Sequence, residues 1–317
     1  MRILITGGCG FVGHQMVDYF LRKTPFDLVI LDGLTYAGNI NRITSLQSYD
    51  PARVTFVYHN LRSPINELVA ERIGAVDYII HLAANSSVEY TLKHPEESVL
   101  DNVLATVNIL EFARTQKNLK LINYFSTDEV YGPVMKPGDG FEESAPHRPS
   151  NPYAAGKAAG EDYCYAYFTS YKVPVFITNT MNILGYNQHP EKFIPTVIKA
   201  VGEGTMVPIY SSPDKTVAGS RYWIFAENVA AAIWFLLERA QPGEKYHIVG
   251  EWCDNLVMAQ KIADIMGRPL KYEMVNFHES RPGHDMHYGL RDTKMWRMGW
   301  TTGGNLVKGL RKILGVK

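Results

Sequence analysis

The sequence predicts an α/β protein, a doubly wound parallel sheet followed by a smaller α/β domain at the carboxyl end. Three observations carry that expectation. Short apolar runs alternate with helix-length amphipathic segments from Arg2 to Thr178. The first run breaks at once into glycines at 7, 10 and 13, placed to open a helix. The second run ends in Asp32, 19 residues beyond Gly13.

Taken in order, Arg2 to Thr6 reads as a buried strand, and Val12 to Arg22 as a helix packed on a sheet. Between them the glycines leave free amides at a helix start, where the dipole favours a pyrophosphate; Phe11 and Val12 lie in the same turn. The spacing is G-x-x-G-x-x-G. Asp27 to Leu31 is the second strand, and the Asp32 carboxylate after it suits an adenosine ribose and repels a 2′-phosphate, so NAD is expected over NADP. Val54 to Tyr58 and Asp77 to Leu82 continue as strands, with Pro64 to Ile73 as the helix between them. Ala83 and Ala84 follow; two small residues there would admit a flat ring or ribose, or pack under a helix. Pro95 to Lys117 reads as one long helix with Val99, Val103, Val107, Leu110 and Ala113 on one face.

Leu121 to Phe125 is the strand that delivers Ser126, Thr127, Asp128 and Glu129 at its carboxyl end, the side of an open parallel sheet where ligands sit. Gly132 to Pro152 holds five prolines and reads as a loop. A helix begins after Asn151, and the spacing of Tyr153 and Lys157 places them on one face, so that the ammonium can lie beside the phenol. A free phenol titrates near 10, and bringing it to about 7 takes roughly 4 kcal/mol of preferential phenolate stabilisation, which one adjacent cation could supply. Pro174 to Thr178 is a further strand. Beyond it the periodicity loosens, with Ile194 to Val201 and Ala226 to Arg239 as helices and Trp234 and Phe235 as core. The guanidinium forks of Arg221 and Arg281 there suit phosphate oxygens.

Composition excludes other classes. Lys plus Arg and Asp plus Glu number 32 each, so the net charge is zero and no bulk field for nucleic acid or an anionic membrane exists. Three scattered cysteines, Cys9, Cys164 and Cys253, fit a reducing compartment, and a cytoplasmic protein with neither export signal nor membrane span is expected. The cluster of His278, His284, His287 and Asp285 matches no zinc spacing, so no metal is expected.

These residues resemble the extended short-chain dehydrogenase/reductase superfamily, and within it the nucleotide-sugar 4,6-dehydratases of the dTDP-glucose type. The resemblance rests on Thr6 to Gly13, on Leu34-Thr35-Tyr36-Ala37-Gly38-Asn39, on Ser126 to Gly132, on Tyr153 with Lys157, on Pro190 to Pro195 and on Arg281-Pro282-Gly283-His284-Asp285. It implies a Rossmann-type NAD-binding domain over residues 1–178, with some later segments returning to it. Residues 179–317 would then bind mainly the nucleotide diphosphate hexose, and the molecule would pair as a homodimer through helices near 95–117 and 152–171. The reaction it implies oxidises C4, eliminates water across C5 and C6 and returns hydride to C6, giving a 4-keto-6-deoxy sugar. Tyr153 would take the C4 hydroxyl proton, Lys157 would hold the nicotinamide ribose, and Thr127 would bond O4. Glu129 would remove the C5 proton and Asp128 protonate the departing hydroxyl, two neighbouring carboxyls whose proton affinities are driven apart. The resemblance adds Asn60 and Leu61 at the adenine end, and Ser86, Asn182, Lys192, Arg221, Arg281 and His284 on the substrate side.

The chain departs from the pattern at Asn85-Ser86-Ser87-Val88-Glu89, where the dTDP-glucose enzymes read Glu-Ser-His-Val-Asp. It departs again at Ser211 to Lys215, before Arg221-Tyr222-Trp223. Both stretches border the substrate, which opens the reading to other hexoses and other nucleotides. Two alternatives share these motifs: an epimerase or decarboxylase of the same superfamily, and a non-catalytic NAD-binding regulator.

Overall fold

The computed structural model describes residues 1–277, 285–303 and 305–316. Seven strands form one parallel sheet: β1 (Arg2–Thr6), β2 (Asp27–Asp32), β3 (Val54–Tyr58), β4 (Tyr78–His81), β5 (Leu121–Thr127), β6 (Val175–Thr180) and, after strands that lie elsewhere, a late one at Lys245–Ile248. The spatial order is late strand, β6, β5, β4, β1, β2, β3. The chain winds outward from β1 to β3, returns to the other side of β1 at β4, and winds outward again. Strand order therefore reverses between β1 and β4, and a crevice opens at their carboxyl ends.

Both faces are covered, as continuous apolar strands such as Leu28-Val29-Ile30-Leu31 require. On one face Phe20, Ile3, Ile5, Ile30, Ile233 and Leu236 join the helices Phe11–Lys23 and Ala226–Arg239 to the sheet, with Trp234 and Phe235 packed against that core. On the other, Leu4, Val29, Ile79, Ile109, Phe112 and Cys164 join the helices Ala105–Thr115 and Pro152–Tyr171. A third core, with Val197, Ile209, Trp223, Met258 and Leu310, belongs to the carboxyl-terminal part, and a small fourth one gathers Val130, Tyr131, Ala158, Met181, Val249 and Leu290. The carboxyl-terminal part holds a three-stranded sheet of Asn182–Leu184, Ser220–Phe225 and Glu251–Asp254 and a parallel pair of Val207–Ser211 and Tyr272–Asn276.

Two elements differ from the expected ones in ways that matter for the site. β5 runs two residues past its apolar stretch, because Ser126 and Thr127 still pair with Asn179 and Thr180 of β6. Thr127 is thus held by the ladder and only Asp128–Tyr131 turns away, as a 3₁₀ turn. The expected single helix from Pro95 to Lys117 contains a π-helical stretch, Val99–Leu104, between Pro95–Ser98 and Ala105–Thr115. The wider turn rotates the face: Val99 is 56% exposed, while Asn102 is buried. There Asn102 Oδ1 accepts from Asn85 N at 2.9 Å and its Nδ2 donates to Asn85 O at 3.2 Å, which fixes the loop after β4.

Candidate active site

A cleft of about 860 Å³ lies over the carboxyl ends of β1, β2, β4 and β5. Its first wall is the glycine turn. Gly7 has φ +67°, and a Cβ there would stand 2.8 Å from the Ala83 backbone, so the close approach of the β1 and β4 ends requires glycine. A Cβ on Gly13 would strike the Gly7 carbonyl. Gly10 caps the helix Phe11–Lys23 without a side-chain acceptor, so the first-turn amides of Phe11, Val12 and Gly13 face the cleft unclaimed by the helix. Asp32, 7% exposed, accepts from Cys9 N at 2.9 Å and Leu34 N at 2.8 Å. Burial pushes its carboxyl up, and those two amides pull it back. Asn60 and Leu61 line the same end, with Leu61 O held by Asn108 Nδ2 at 2.7 Å. Ala83 and Ala84 form the floor. A cradle that any Cβ would fill, free amides and a carboxylate at the end of the second strand fit the pyrophosphate and ribose of a dinucleotide.

The residues expected to be reactive meet at the other end. Thr127, Asp128, Glu129, Tyr153 and Lys157 all line the cleft, although up to 30 residues of sequence separate them. The Thr127 hydroxyl donates to Asp128 Oδ1 at 3.1 Å and accepts from Glu129 N at 3.3 Å. Asp128 is buried, and its Oδ2 finds no hydrogen-bond partner among the described residues. Burial first, and then the charge of Glu129, push the Asp128 carboxyl up to about 7. Glu129 is raised too, chiefly by burial, but it is better supported. Asn151 Nδ2 donates to Glu129 Oε2 at 3.0 Å and the Tyr288 hydroxyl at 3.4 Å, and Asn151, Arg221 and Lys192 all favour its charged form. The pair is therefore asymmetric, with Asp128 the better proton holder and Glu129 the better anion.

Tyr153 and Lys157 project from the first turns of the helix Pro152–Tyr171, which Asn151 caps by accepting from Ala154 N at 2.8 Å. Lys157 is 2% exposed, its ammonium 4.1 Å over the Tyr124 ring, and burial brings it down to about 8. The lowered phenol expected from the helix spacing is not what the protein alone provides. Burial and then Glu129 push Tyr153 above its ordinary range, against the pull of its hydrogen bond with Thr127. The phenol therefore holds its proton more tightly than a free tyrosine does.

Ser86, Asn182 and Lys192, expected on the substrate side, also line the cleft, and Lys192 Nζ lies 3.5 Å from Ser86 O. Arg221 is placed differently. Its fork donates to Ser220 O at 2.7 Å, Met286 O at 2.6 Å and Asp285 O at 2.6 Å, and it stacks 4.5 Å over Tyr288. It meets backbone carbonyls rather than standing free for a phosphate, and it acts on Asp128 and Glu129 as a fixed positive charge. Arg281 and His284, like His278, lie outside the described residues. Three residues that the sequence does not single out support the site: Tyr36 lines the cleft, and Asn151 and Tyr288 hold Glu129. Asn151 is signalled by its place before Pro152 at a helix start, and Tyr36, hydrogen-bonded to Ser86, lies inside a quoted motif. Tyr288 has no local signal.

Comparison with known proteins gives a consistent picture. Residues 3–249 match the model of the NAD dependent epimerase/dehydratase family. A probable dTDP-glucose 4,6-dehydratase of Sinorhizobium fredii is 34% identical, the alignment covering 98% of this chain and 91% of that one. The low-salt glycan biosynthesis protein Agl12 of Haloferax volcanii is also 34% identical, over 98% of this chain and 96% of that one. Among solved structures, DesIV of Streptomyces venezuelae, a dTDP-glucose 4,6-dehydratase crystallised with NAD, superposes with a TM-score of 0.89. It is 31% identical, with 99% of this chain and 96% of that one covered.

Proposed function

The chain belongs to the NAD dependent epimerase/dehydratase family, and on that premise we propose that it is an NAD-dependent nucleotide-hexose 4,6-dehydratase. The observation that carries the reading is the split acid pair. Asp128, raised to about 7 with one oxygen unpartnered among the described residues, adjoins a Glu129 anchored by Asn151 and Tyr288. Epimerisation at C4 needs a tyrosine base and a hydride acceptor; elimination across C5 and C6 needs in addition one carboxyl that takes a proton and one that gives it.

NAD, when bound, supplies the hydride acceptor for C4, the hydride later returned to C6, and positive charge in the cleft. Gly7, Gly10, Phe11, Val12 and Gly13 would hold its pyrophosphate, Asp32 its adenosine ribose, Asn60 and Leu61 its adenine side, and Ala83, Ala84 and Lys157 its nicotinamide half. Tyr153 accepts the C4 hydroxyl proton while Thr127, already bonded to both Tyr153 and Asp128, orients O4. Oxidation at C4 acidifies the C5 proton, which Glu129 removes. Asp128 delivers its proton to the C6 hydroxyl as it leaves. Ser86, Asn182 and Lys192 border the sugar and diphosphate, with Arg281 and His284 expected nearby. Residues 1–178 would serve the cofactor and 179–317 mainly the substrate. The exposed Val99, Leu104, Tyr163 and Tyr171 on the two long helices support a homodimer through that face. Among the described residues no helix is long and apolar enough to cross a membrane, and the three free cysteines support a cytoplasmic protein.

The test is a product assay by mass and NMR in heavy water over dTDP-, UDP-, CDP- and GDP-hexoses. A 4-keto-6-deoxy product carrying deuterium at C5 is expected for at least one; none across the panel refutes the reading. The preferred nucleotide would show whether the departures at Asn85 to Glu89 or at Ser211 to Lys215 matter.

A further inference from the structure

Behind the acid pair, away from the cleft, lies a charged cluster that the reaction as derived does not use. Glu161 is fully buried on the same helix as Tyr153 and Lys157, one turn beyond Lys157 on the same face. Its Oε2 pairs with Lys245 Nζ at 2.5 Å and contacts His147 Nε2 at 3.0 Å; Lys245 is itself 5% exposed. Its Oε1 accepts from Asn179 Nδ2 at 2.7 Å, and the same amide nitrogen donates to Thr127 O at 2.9 Å. A carboxylate fixed from outside thus holds, through one amide, the residue that orients O4 and the acid pair. A buried ion pair is poor evidence of stabilisation, since an apolar replacement often does as well. Its place suggests another use.

We propose that Glu161 is a positioning residue of this active site: it fixes Thr127 through Asn179 and is the counter-charge that keeps Lys157 an ammonium. Among the described residues the charged or titratable groups around Lys157 are few, and Tyr153, one turn before it on the same helix, is kept neutral by burial. Cys164 shares its helix, but burial pushes that thiol far above its ordinary range, so it is neutral. His81 on β4 is held neutral by burial, and Tyr124 on β5 offers only its ring. Asp101, on the π-helical stretch packed against this helix, is paired with Arg62. Glu161 is the carboxylate left to oppose the burial that brings Lys157 to about 8. The proposal rests on the dehydratase reading only for Thr127; the effect on Lys157 is independent of the reaction catalysed.

The test follows Lys157 directly by ¹³C NMR of lysine Cε, assigned by its loss in Lys157→Arg, alongside kcat and KM. In Glu161→Gln the Lys157 titration is expected to move at least one pH unit to the acid side and the alkaline limb of kcat to move with it. The KM for nucleotide sugar should stay within about twofold, and Glu161→Asp should restore both the Lys157 titration and the alkaline limb. If Glu161→Gln does not fold around the unpaired Lys245, the double variant Glu161→Gln, Lys245→Met removes both charges, and a smaller shift to the acid side is expected in it, because a nearby cation is lost too. Asn179→Ala, which leaves the ion pair in place, should lower kcat about tenfold without moving the Lys157 titration. An unmoved Lys157 titration in the folded Glu161 variants overturns the counter-charge, and an unchanged kcat in Asn179→Ala overturns the link to Thr127. Should the wild-type protein make no dehydrated product, the NMR titration still decides the first point, and the dehydratase reading fails separately.

Discussion

Replacing Asp128 by an asparagine tests the acid half of the pair through stability as well as through rate. The side chain keeps its size and its contact with the Thr127 hydroxyl, but it can no longer exchange a proton. At about 1.4 kcal/mol per tenfold change in proton affinity, a carboxyl raised from 3.8 to about 7 makes the folded state about 4 kcal/mol less favourable at neutral pH than an unperturbed one. Below 3.8 the folded and unfolded chains both hold this proton and the difference vanishes. Between 3.8 and 7 the folded state binds the proton more tightly, so stability falls as pH rises, and above 7 the loss is complete. The amide of the Asp128→Asn variant has no such dependence. Urea unfolding at pH 5 and pH 8 should therefore show the variant gaining on the wild type by about 3 kcal/mol between the two pH values. Glu129 contributes to the rise, so a parallel Glu129→Gln series, in which the Asp128 dependence shrinks, separates the partners. Asp128→Asn should also slow formation of the dehydrated product by about 10²–10⁴ while oxidation at C4, followed by cofactor absorbance, persists. An equal stability difference at pH 5 and pH 8 would refute the raised carboxyl, and undiminished dehydration would refute its role as the acid.

Tyr153→Phe should abolish C4 oxidation, with kcat down by about 10²-fold or more, while calorimetry finds nucleotide-sugar affinity nearly unchanged. Gly13→Ala places a methyl against the Gly7 carbonyl; fluorescence titration should show NAD affinity reduced at least about tenfold, and urea melts a loss of about 1–3 kcal/mol. Asp32→Ala removes the ribose acceptor and leaves the Cys9 and Leu34 amides without their partner. The ratio of NAD to NADP affinity should fall by about tenfold or more, with about 1–3 kcal/mol of stability lost.

Much of this is legible along the chain because much of it is local. The glycine turn, Asp32, the strands from β1 to β6 and the pairing of Tyr153 with Lys157 on one helix face each depend on a short span, where hydrophobic period and turn chemistry speak for themselves. The end of β5 is not legible because Ser126 and Thr127 are polar; their strand conformation comes from pairing with Asn179 and Thr180, more than 50 residues away. The π-helical stretch is hidden because Asn102 within it reaches back to the Asn85 loop, a contact no helical period records. Arg221 has the right residue type for a phosphate, but its surroundings, the carbonyls of Ser220, Asp285 and Met286, come from two separate segments.

The sequence by itself determined the fold class, the glycine turn with Asp32 and the residue types of the candidate reactive groups, since these rest on residue type and spacing within single elements. Only the tertiary structure decided their proton affinities and partners. Whether Asp128 is an acid or an anion, whether Tyr153 stands high or low, and whether Lys157 keeps its charge depend on burial and on charges brought close by folding. Electrostatic energy depends on distance through space and on desolvation, and neither is written in the order of residues.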